Sequence, residues 1–165
     1  MSREDLFRRA EEYAARNGLV IGRQLGFGVH GIVFSAERQT EGPPSALKVH
    51  ERGAAYSRER DVYFRLQESA VREIRGCHVP QLLAHDDRLL VIEMSVVARP
   101  FVLDFAGACL DQPPDFSDEV MADWQAEKQE QFGPRWAEVQ AILRELEGYG
   151  VFMVDVNPGN VSFGA

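Results

Sequence analysis

Three short segments hold residues whose types and spacing could handle a phosphorylated ligand. The first is Leu25-Gly26-Phe27-Gly28-Val29-His30-Gly31-Ile32-Val33, where glycines at 26, 28 and 31 make G-x-G-x-x-G. Lacking a Cβ, glycine lets backbone N–H groups approach phosphate oxygens and admits positive φ. A dinucleotide-binding turn would need a helix straight after the glycines, whereas Ile32-Val33-Phe34 reads as a second strand. Strand–glycines–strand is the form of a flap that covers nucleotide phosphates. Taken alone, the same glycines also make a tight hairpin turn, and His30 either touches a phosphate or marks an exposed tip.

The second segment is Ala46-Leu47-Lys48-Val49, with Lys48 seventeen residues past Gly31. A lysine between apolar neighbours in a strand points to the interior or to a cleft, where an unpaired ammonium is costly. It calls for an anionic partner, and a phosphate qualifies. Glu59, in Arg58-Glu59-Arg60-Asp61 on the following helix, is a candidate carboxylate to orient it. The same local patterns also fit an edge-strand lysine that blunts aggregation and a solvated face charge. The third segment is Asp155-Val156-Asn157-Pro158-Gly159-Asn160. An Asp at a strand end and an Asn five residues on can turn two oxygens toward one point, one accepting a hydroxyl proton and the other holding magnesium. Asn-Pro-Gly-Asn is equally good turn sequence.

The elements that must position these residues follow from periodicity. Leu6, Phe7, Ala10, Tyr13 and Ala14 predict an amphipathic helix over about 3–17, stopped by Asn17-Gly18. Short apolar runs at Leu19–Leu25, Ile32–Ala36 and Ala46–His50 predict three consecutive antiparallel strands, the last two separated by Gly42-Pro43-Pro44. A helix is expected near Tyr56–Glu68, then strands at Gln81–Ala84 and Leu89–Met94 with a turn at His85–Arg88. Ser117 signals the start of a helix through Val120, Met121 and Trp124; Pro134 opens another through Trp136, Val139, Ile142, Leu143 and Leu146, ended by Gly148 and Gly150. A last strand is expected at Val151–Val154. Trp124 and Trp136 read as packing anchors, and Cys77-His78 as a loop with a buried thiol. The class is α+β.

Composition narrows the partners. The 165 residues suit one domain, and 45% hydrophobic content can bury a sizeable core. A net charge of −8 argues against a general nucleic-acid or anionic-membrane binder. Residues 1–60 carry +2 and the remainder −10, so the acidity belongs to the second half. Sixteen of the 18 basic residues are arginine; Lys48 is one of only two lysines. Two cysteines outside any CxxC pair, a charged start and no apolar run near the roughly 18 residues of a span point to a reducing, cytoplasmic setting.

Taken together and in this order, the three segments resemble the signature of the protein-kinase-like superfamily, which includes eukaryotic-type protein kinases and aminoglycoside phosphotransferases. The resemblance covers roughly residues 19–162. It implies an α+β fold with a small lobe of five antiparallel strands and one helix, a hinge, and a reduced, mainly helical large lobe. The expected division of a single domain over 1–165 is N-terminal helix 1–18, small lobe 19–94, hinge and partial large lobe 95–165. The resemblance further implies ATP and Mg²⁺ as ligands, with adenine between Leu25, Val33 and Ala46. The glycines at 26, 28 and 31 would lie over the phosphates, and the hinge would offer backbone groups around Glu93–Ser95 to the adenine edge. Lys48, held by Glu59, would contact the phosphates; Asp155 would orient an acceptor hydroxyl on a protein serine or threonine, and Asn160 would hold the metal. Met153-Val154 stand where His-Arg is usual, and Asn157 where protein kinases commonly place a lysine; Pro158-Gly159-Asn160 is closer to small-molecule kinases. The Asp-Phe-Gly segment is expected downstream of Asn160, where Ser162-Phe163-Gly164 echoes it with serine for aspartate. The alternatives are a pseudokinase that serves as an interaction module, with self-association or a partner at the reduced large lobe, and a fragment ending at Ala165 of a longer kinase.

Overall fold

The computed structural model describes residues 2–164. Helix α1 (Arg3–Arg16) begins with a reciprocal cap: Ser2 Oγ accepts from the Asp5 N–H at 3.1 Å, and the Asp5 carboxylate accepts from the Ser2 N–H at 3.3 Å. Its buried stripe is Leu6, Ala10, Tyr13 and Ala14, the spacing of one helical face. That face packs on a five-stranded antiparallel sheet of β1 (Leu19–Gly28), β2 (Gly31–Arg38), β3 (Ser45–His50), β6 (Leu82–Asp86) and β7 (Val91–Ser95), in the order β1-β2-β3-β7-β6. Helix α2 (Gly53–Glu68) covers the opposite face with Tyr56, Val62, Tyr63 and Leu66.

Two covered faces explain why every residue of β3 is buried. Leu47 and Val49 join the α1 cluster, while Ala46 joins the α2 cluster, as the alternation of a strand requires. Each fully buried aliphatic side chain there contributes about 1.5–3 kcal/mol relative to exposure. Lys48, on the same face as Ala46, is thereby carried out of water.

The second region begins with β4 (Glu73–Ile74) and β5 (Cys77–His78), which join β8 (Phe101–Val102) and β11 (Val161–Ser162) in a sheet ordered β11-β8-β5-β4. A separate pair joins β9 (Cys109–Leu110) to β10 (Val151–Phe152). Helix α3 (Asp118–Phe132) is capped by Ser117, and one 3₁₀ turn through Pro134 leads into α4 (Trp136–Gly148). Val139, Ile142 and Leu146 of α4 are buried in the same cluster as Phe105, Val151 and Val161.

The α+β class and the five-stranded small-lobe sheet agree with expectation. Several boundaries differ. β1 runs on through Gly26 and Gly28, which leaves only Val29-His30 as the turn. β6 extends to Asp86 because its side chain, accepting from the N–H groups of Arg88 and Leu89 at 3.0 and 2.9 Å, moves the turn outward. β7 starts two residues late because Leu90 has φ +54°. Only Val151-Phe152 of the expected last strand pairs; Met153 and Val154 leave the ladder toward the cleft floor. The two-residue strands β4, β5, β8, β9 and β11 are too short to show a period. Among the described residues no helix is long and apolar enough to cross a membrane.

Candidate functional site

A cleft of about 690 Å³ lies between the sheet and the second region. Its roof is the β1–β2 hairpin. Gly31 is essential to that hairpin: its φ is +145°, and a Cβ there would fall 2.0 Å from the Val49 carbonyl oxygen. The hairpin therefore lies directly against β3. Gly26 and Gly28 have open space where a Cβ would be, so their backbone faces the cleft unobstructed. Leu25, Val33 and Ala46 supply the apolar roof.

At the back, the Lys48 ammonium lies 2.8 Å from Glu59 Oε2 and 2.7 Å from Asp104 Oδ1. Lys48 is 5% exposed and Glu59 fully buried. Burial alone would lower the Lys48 pKa; Glu59 and Asp104 outweigh it, and the net shift is upward. Burial would likewise raise the Glu59 pKa, but Lys48 and a hydrogen bond from His50 hold it at about 2. His50 Nε2 is 2.6 Å from the same carboxylate oxygen, so strand β3 grips helix α2 through two side chains on one face. His50 is fully buried and was not singled out from sequence; its place two residues after Lys48 in a strand is the signal that put it there.

The floor holds Asp155 and Asn160. Asn160 is buried; its Nδ2 donates to the Asp155 carbonyl at 2.8 Å and its Oδ1 accepts from the Asn157 N–H at 3.1 Å. Asn157 Oδ1 accepts from the Gly159 N–H at 2.8 Å, and its Nδ2 donates to Asp155 Oδ1 at 3.3 Å. The turn and the oxygen-presenting loop are thus one object: the Asx hydrogen bonds shape the loop while the exposed Asp155 carboxylate faces the cleft. From behind, Trp124 Nε1 donates to the Val154 carbonyl at 3.2 Å, and Trp124 meets Trp136 edge-on at 5.9 Å.

At the mouth, the expectation for Glu93 concerns its backbone, and its side chain turns away from the cleft. Its side chain points to the α1 side of the sheet, where it accepts from the Tyr13 hydroxyl at 2.9 Å and from Arg38 at 3.4 Å. Met94 faces the cleft in its place and accepts from the Tyr63 hydroxyl at 3.5 Å. Ser95 lines the cleft, but its N–H donates to the Gln81 carbonyl and its Oγ accepts from the Gln81 N–H, both at 2.9 Å. The wall continues through Val96 and Val97.

Asp104 is the functional candidate that the sequence reading missed. It stands in Asp104-Phe105-Ala106-Gly107, directly after β8 and before β9. β8 pairs with β11, which follows Asn160, and β9 pairs with β10, which precedes Asp155. In the kinase signature the Asp-Phe-Gly segment comes after the catalytic loop. Here Asp104-Phe105-Ala106-Gly107 precedes the Asp155–Asn160 loop in the chain, and Asp104 lines the same cleft as Asp155 and Asn160. Ser162-Phe163-Gly164, the expected echo, is elsewhere: Ser162 pairs with Phe101, and the Phe163 ring lies under Arg135 at 4.8 Å.

The structure therefore brings Leu25, Gly26, Gly28, Gly31, Val33, Ala46, Lys48, Glu59, Ser95, Asp155 and Asn160 to one cleft and leaves the Glu93 side chain outside it. Among the described residues no three His, Cys, Asp or Glu side chains form a metal cluster. Magnesium does not require one: it takes one or two protein oxygens and completes its shell with water and substrate phosphates. Asp104, one third exposed with a second carboxylate oxygen beyond its Lys48 contact, and the Asn160 amide oxygen fit that donor set.

No family model matches the chain, and no curated protein matches it. Among solved structures, a single-site mutant of the Mycobacterium tuberculosis PknI kinase domain matches at 24% identity and TM-score 0.43, over 87% of this chain and 53% of that one. The PknI kinase domain itself matches at 22% identity and TM-score 0.40, over 87% and 54%. The chain is similar to these kinase domains across most of its own length and spans about half of theirs.

Proposed function

We propose that this protein is an ATP-dependent phosphotransferase that moves the γ-phosphoryl group to a hydroxyl acceptor, a protein serine or threonine. The observation that carries this reading is the buried Lys48 ammonium, 2.8 Å from Glu59 and 2.7 Å from Asp104, beneath a glycine hairpin and across from Asp155. A lysine so enclosed is a fixed positive point, and phosphates are the ligands that use one. Adenine would lie beneath Leu25, Val33 and Ala46, against the main chain at Ser95–Val97. Lys48 would bind the α- and β-phosphates while Glu59 keeps it in place. Asp104 and Asn160 would hold Mg²⁺, which supplies charge neutralisation at the phosphates.

Asp155 then works on the acceptor. Its exposed carboxylate accepts the hydroxyl hydrogen bond and takes up the proton as the acceptor oxygen bonds to the γ-phosphorus. The bond from that phosphorus to the β,γ-bridging oxygen breaks, and ADP leaves with the electron pair. Such transfer rests on positioning and electrostatics, which fixed side chains supply.

The test is nucleotide-dependent thermal stability with and without Mg²⁺, followed by transfer of labelled γ-phosphate to mixed protein and small-alcohol acceptors. Mg²⁺-ATP is expected to raise the melting temperature, and Lys48→Ala to abolish the rise. Label should pass to protein hydroxyls and fail to do so in Asp155→Ala. No shift at millimolar nucleotide sinks the proposal; label only on small alcohols corrects the acceptor class.

A further inference from the structure

We infer that His30, at the tip of the glycine hairpin, is a catalytic residue that donates to the transferring γ-phosphate. This rests on the phosphotransferase reading and assigns a side chain that the glycine pattern does not specify. The β1–β2 turn consists of Val29 and His30 alone, since Gly28 pairs with Gly31. Their side chains diverge. Val29 is 85% exposed, whereas His30 is half-buried and lines the cleft. The tip is not loose: the His30 carbonyl accepts from the Glu51 N–H at 3.2 Å, and Gly31 rests on β3 with no room for a Cβ.

From that anchorage the imidazole reaches the floor. A methyl group placed on Gly107 would lie 3.9 Å from His30 Nε2 and 3.4 Å from the Asp155 Cβ. The His30 ring and the Asp155 side chain therefore both adjoin Gly107, in the segment that carries Asp104. That is where the phosphoryl group must be when the acceptor oxygen reaches it, since Asp155 orients the acceptor.

Charge supplies the second argument. The cleft is lined by the carboxylates of Glu59, Asp104 and Asp155, and among the described lining residues the basic side chains are Lys48 and His30. Lys48 already faces two carboxylates. A triphosphate brings further negative charge at its γ end, where the loop offers only Asn157, whose amide N–H is directed at Asp155. Among the basic side chains lining the cleft, His30 is the one left to donate there, and donors aimed at charge that shifts during transfer act on kcat.

The experiment measures ADP and ATP affinity, both with Mg²⁺, by calorimetry on the full chain, together with kcat for labelled transfer. His30→Phe keeps the ring and removes both nitrogens; His30→Lys restores a donor. His30→Phe is expected to leave ADP binding unchanged, to weaken ATP about tenfold, and to lower kcat roughly 10²-fold, with most of kcat recovered in His30→Lys. An ATP-to-ADP affinity ratio and kcat equal to wild type in His30→Phe overturn the inference and leave the phosphotransferase reading standing. Equal weakening of both nucleotides also overturns it, because the ring would then only shape the flap. If wild type binds neither nucleotide, the broader reading fails and this inference falls with it.

Discussion

On the sheet side of the cleft, Lys48 is 5% exposed, touches two carboxylates, and is clamped between a doubly covered strand and helix α2. On the floor, Asp155 is exposed, and among the described residues its carboxylate hydrogen-bonds to the Asn157 amide at 3.3 Å, while its backbone is fixed by Asn160. The two walls thus hold their charges by opposite means. A buried ammonium needs carboxylates already in place, so its binding geometry is part of the core. In the proposed transfer, a carboxylate that accepts a proton from an incoming hydroxyl works from a wet surface, with its main chain held rigid. Stability and activity should accordingly be coupled on the sheet side and separable on the floor.

The sharpest way to break that contrast is Asp155→Asn. The buried hydrogen bond from Asn160 uses the Asp155 carbonyl, and the Asn157 amide can still donate to the Oδ1 that the substitution keeps. Transfer is expected to fall about 10²–10⁴-fold with the melting temperature unchanged, as measured by labelled transfer and thermal unfolding. A large loss of stability would show the two walls to be held alike.

Next in size is Glu59→Ala. It leaves His50 Nε2 without its acceptor and Lys48 with Asp104 alone, all within the core. Removing one partner of a buried ion pair costs about 3–5 kcal/mol, to be read from urea unfolding. The same carboxylate gives a signed pH dependence. Its pKa is depressed from an ordinary 4.5 to about 2, so its contribution is complete above 4.5 and is lost as pH falls from there toward about 2. Wild type should therefore lose stability across that window more steeply than Glu59→Gln. Equal acid slopes would remove Glu59 from the core of the argument.

The same division decided what could be read from the chain. In the small lobe the short apolar runs of β2 and β3, the glycine spacing and the isolated Lys48 each carried information within a few residues, and Glu59 came with the next helix. On the floor, Asp155 and Asn160 were legible because one loop holds both. Asp104 was not, because strand pairing brings β8 to β11 and β9 to β10 across roughly sixty and forty residues, and pairs of two-residue strands leave no pattern. The orientation of Glu93 was hidden for a related reason. Alternation in β7 allows either face, and the choice is made by Tyr13 and Arg38 from distant parts of the chain. His50 stood two residues from Lys48, but only the packing of α2 shows that its ring meets Glu59.

The smallest expected effect tests whether the floor has rigid support at all. Trp124 is the link between helix α3 and the loop: its indole N–H donates to the carbonyl of Val154, the residue before Asp155. α3 itself is lightly anchored: its buried residues are Lys128 and Phe132, the latter stacked on Trp136, and Trp124 adds this hydrogen bond and its own edge-on contact with Trp136. Trp124→Phe keeps an aromatic ring against Trp136 and removes the donor. Losing one part-buried hydrogen bond costs about 0.5–1.5 kcal/mol. The rate of transfer should fall by no more than roughly tenfold, well short of Asp155→Asn, because the Asn160 and Asn157 hydrogen bonds still shape the loop. A rate loss approaching that of Asp155→Asn, with stability near wild type, would mean that the floor is positioned from behind by α3 rather than from within its own turn.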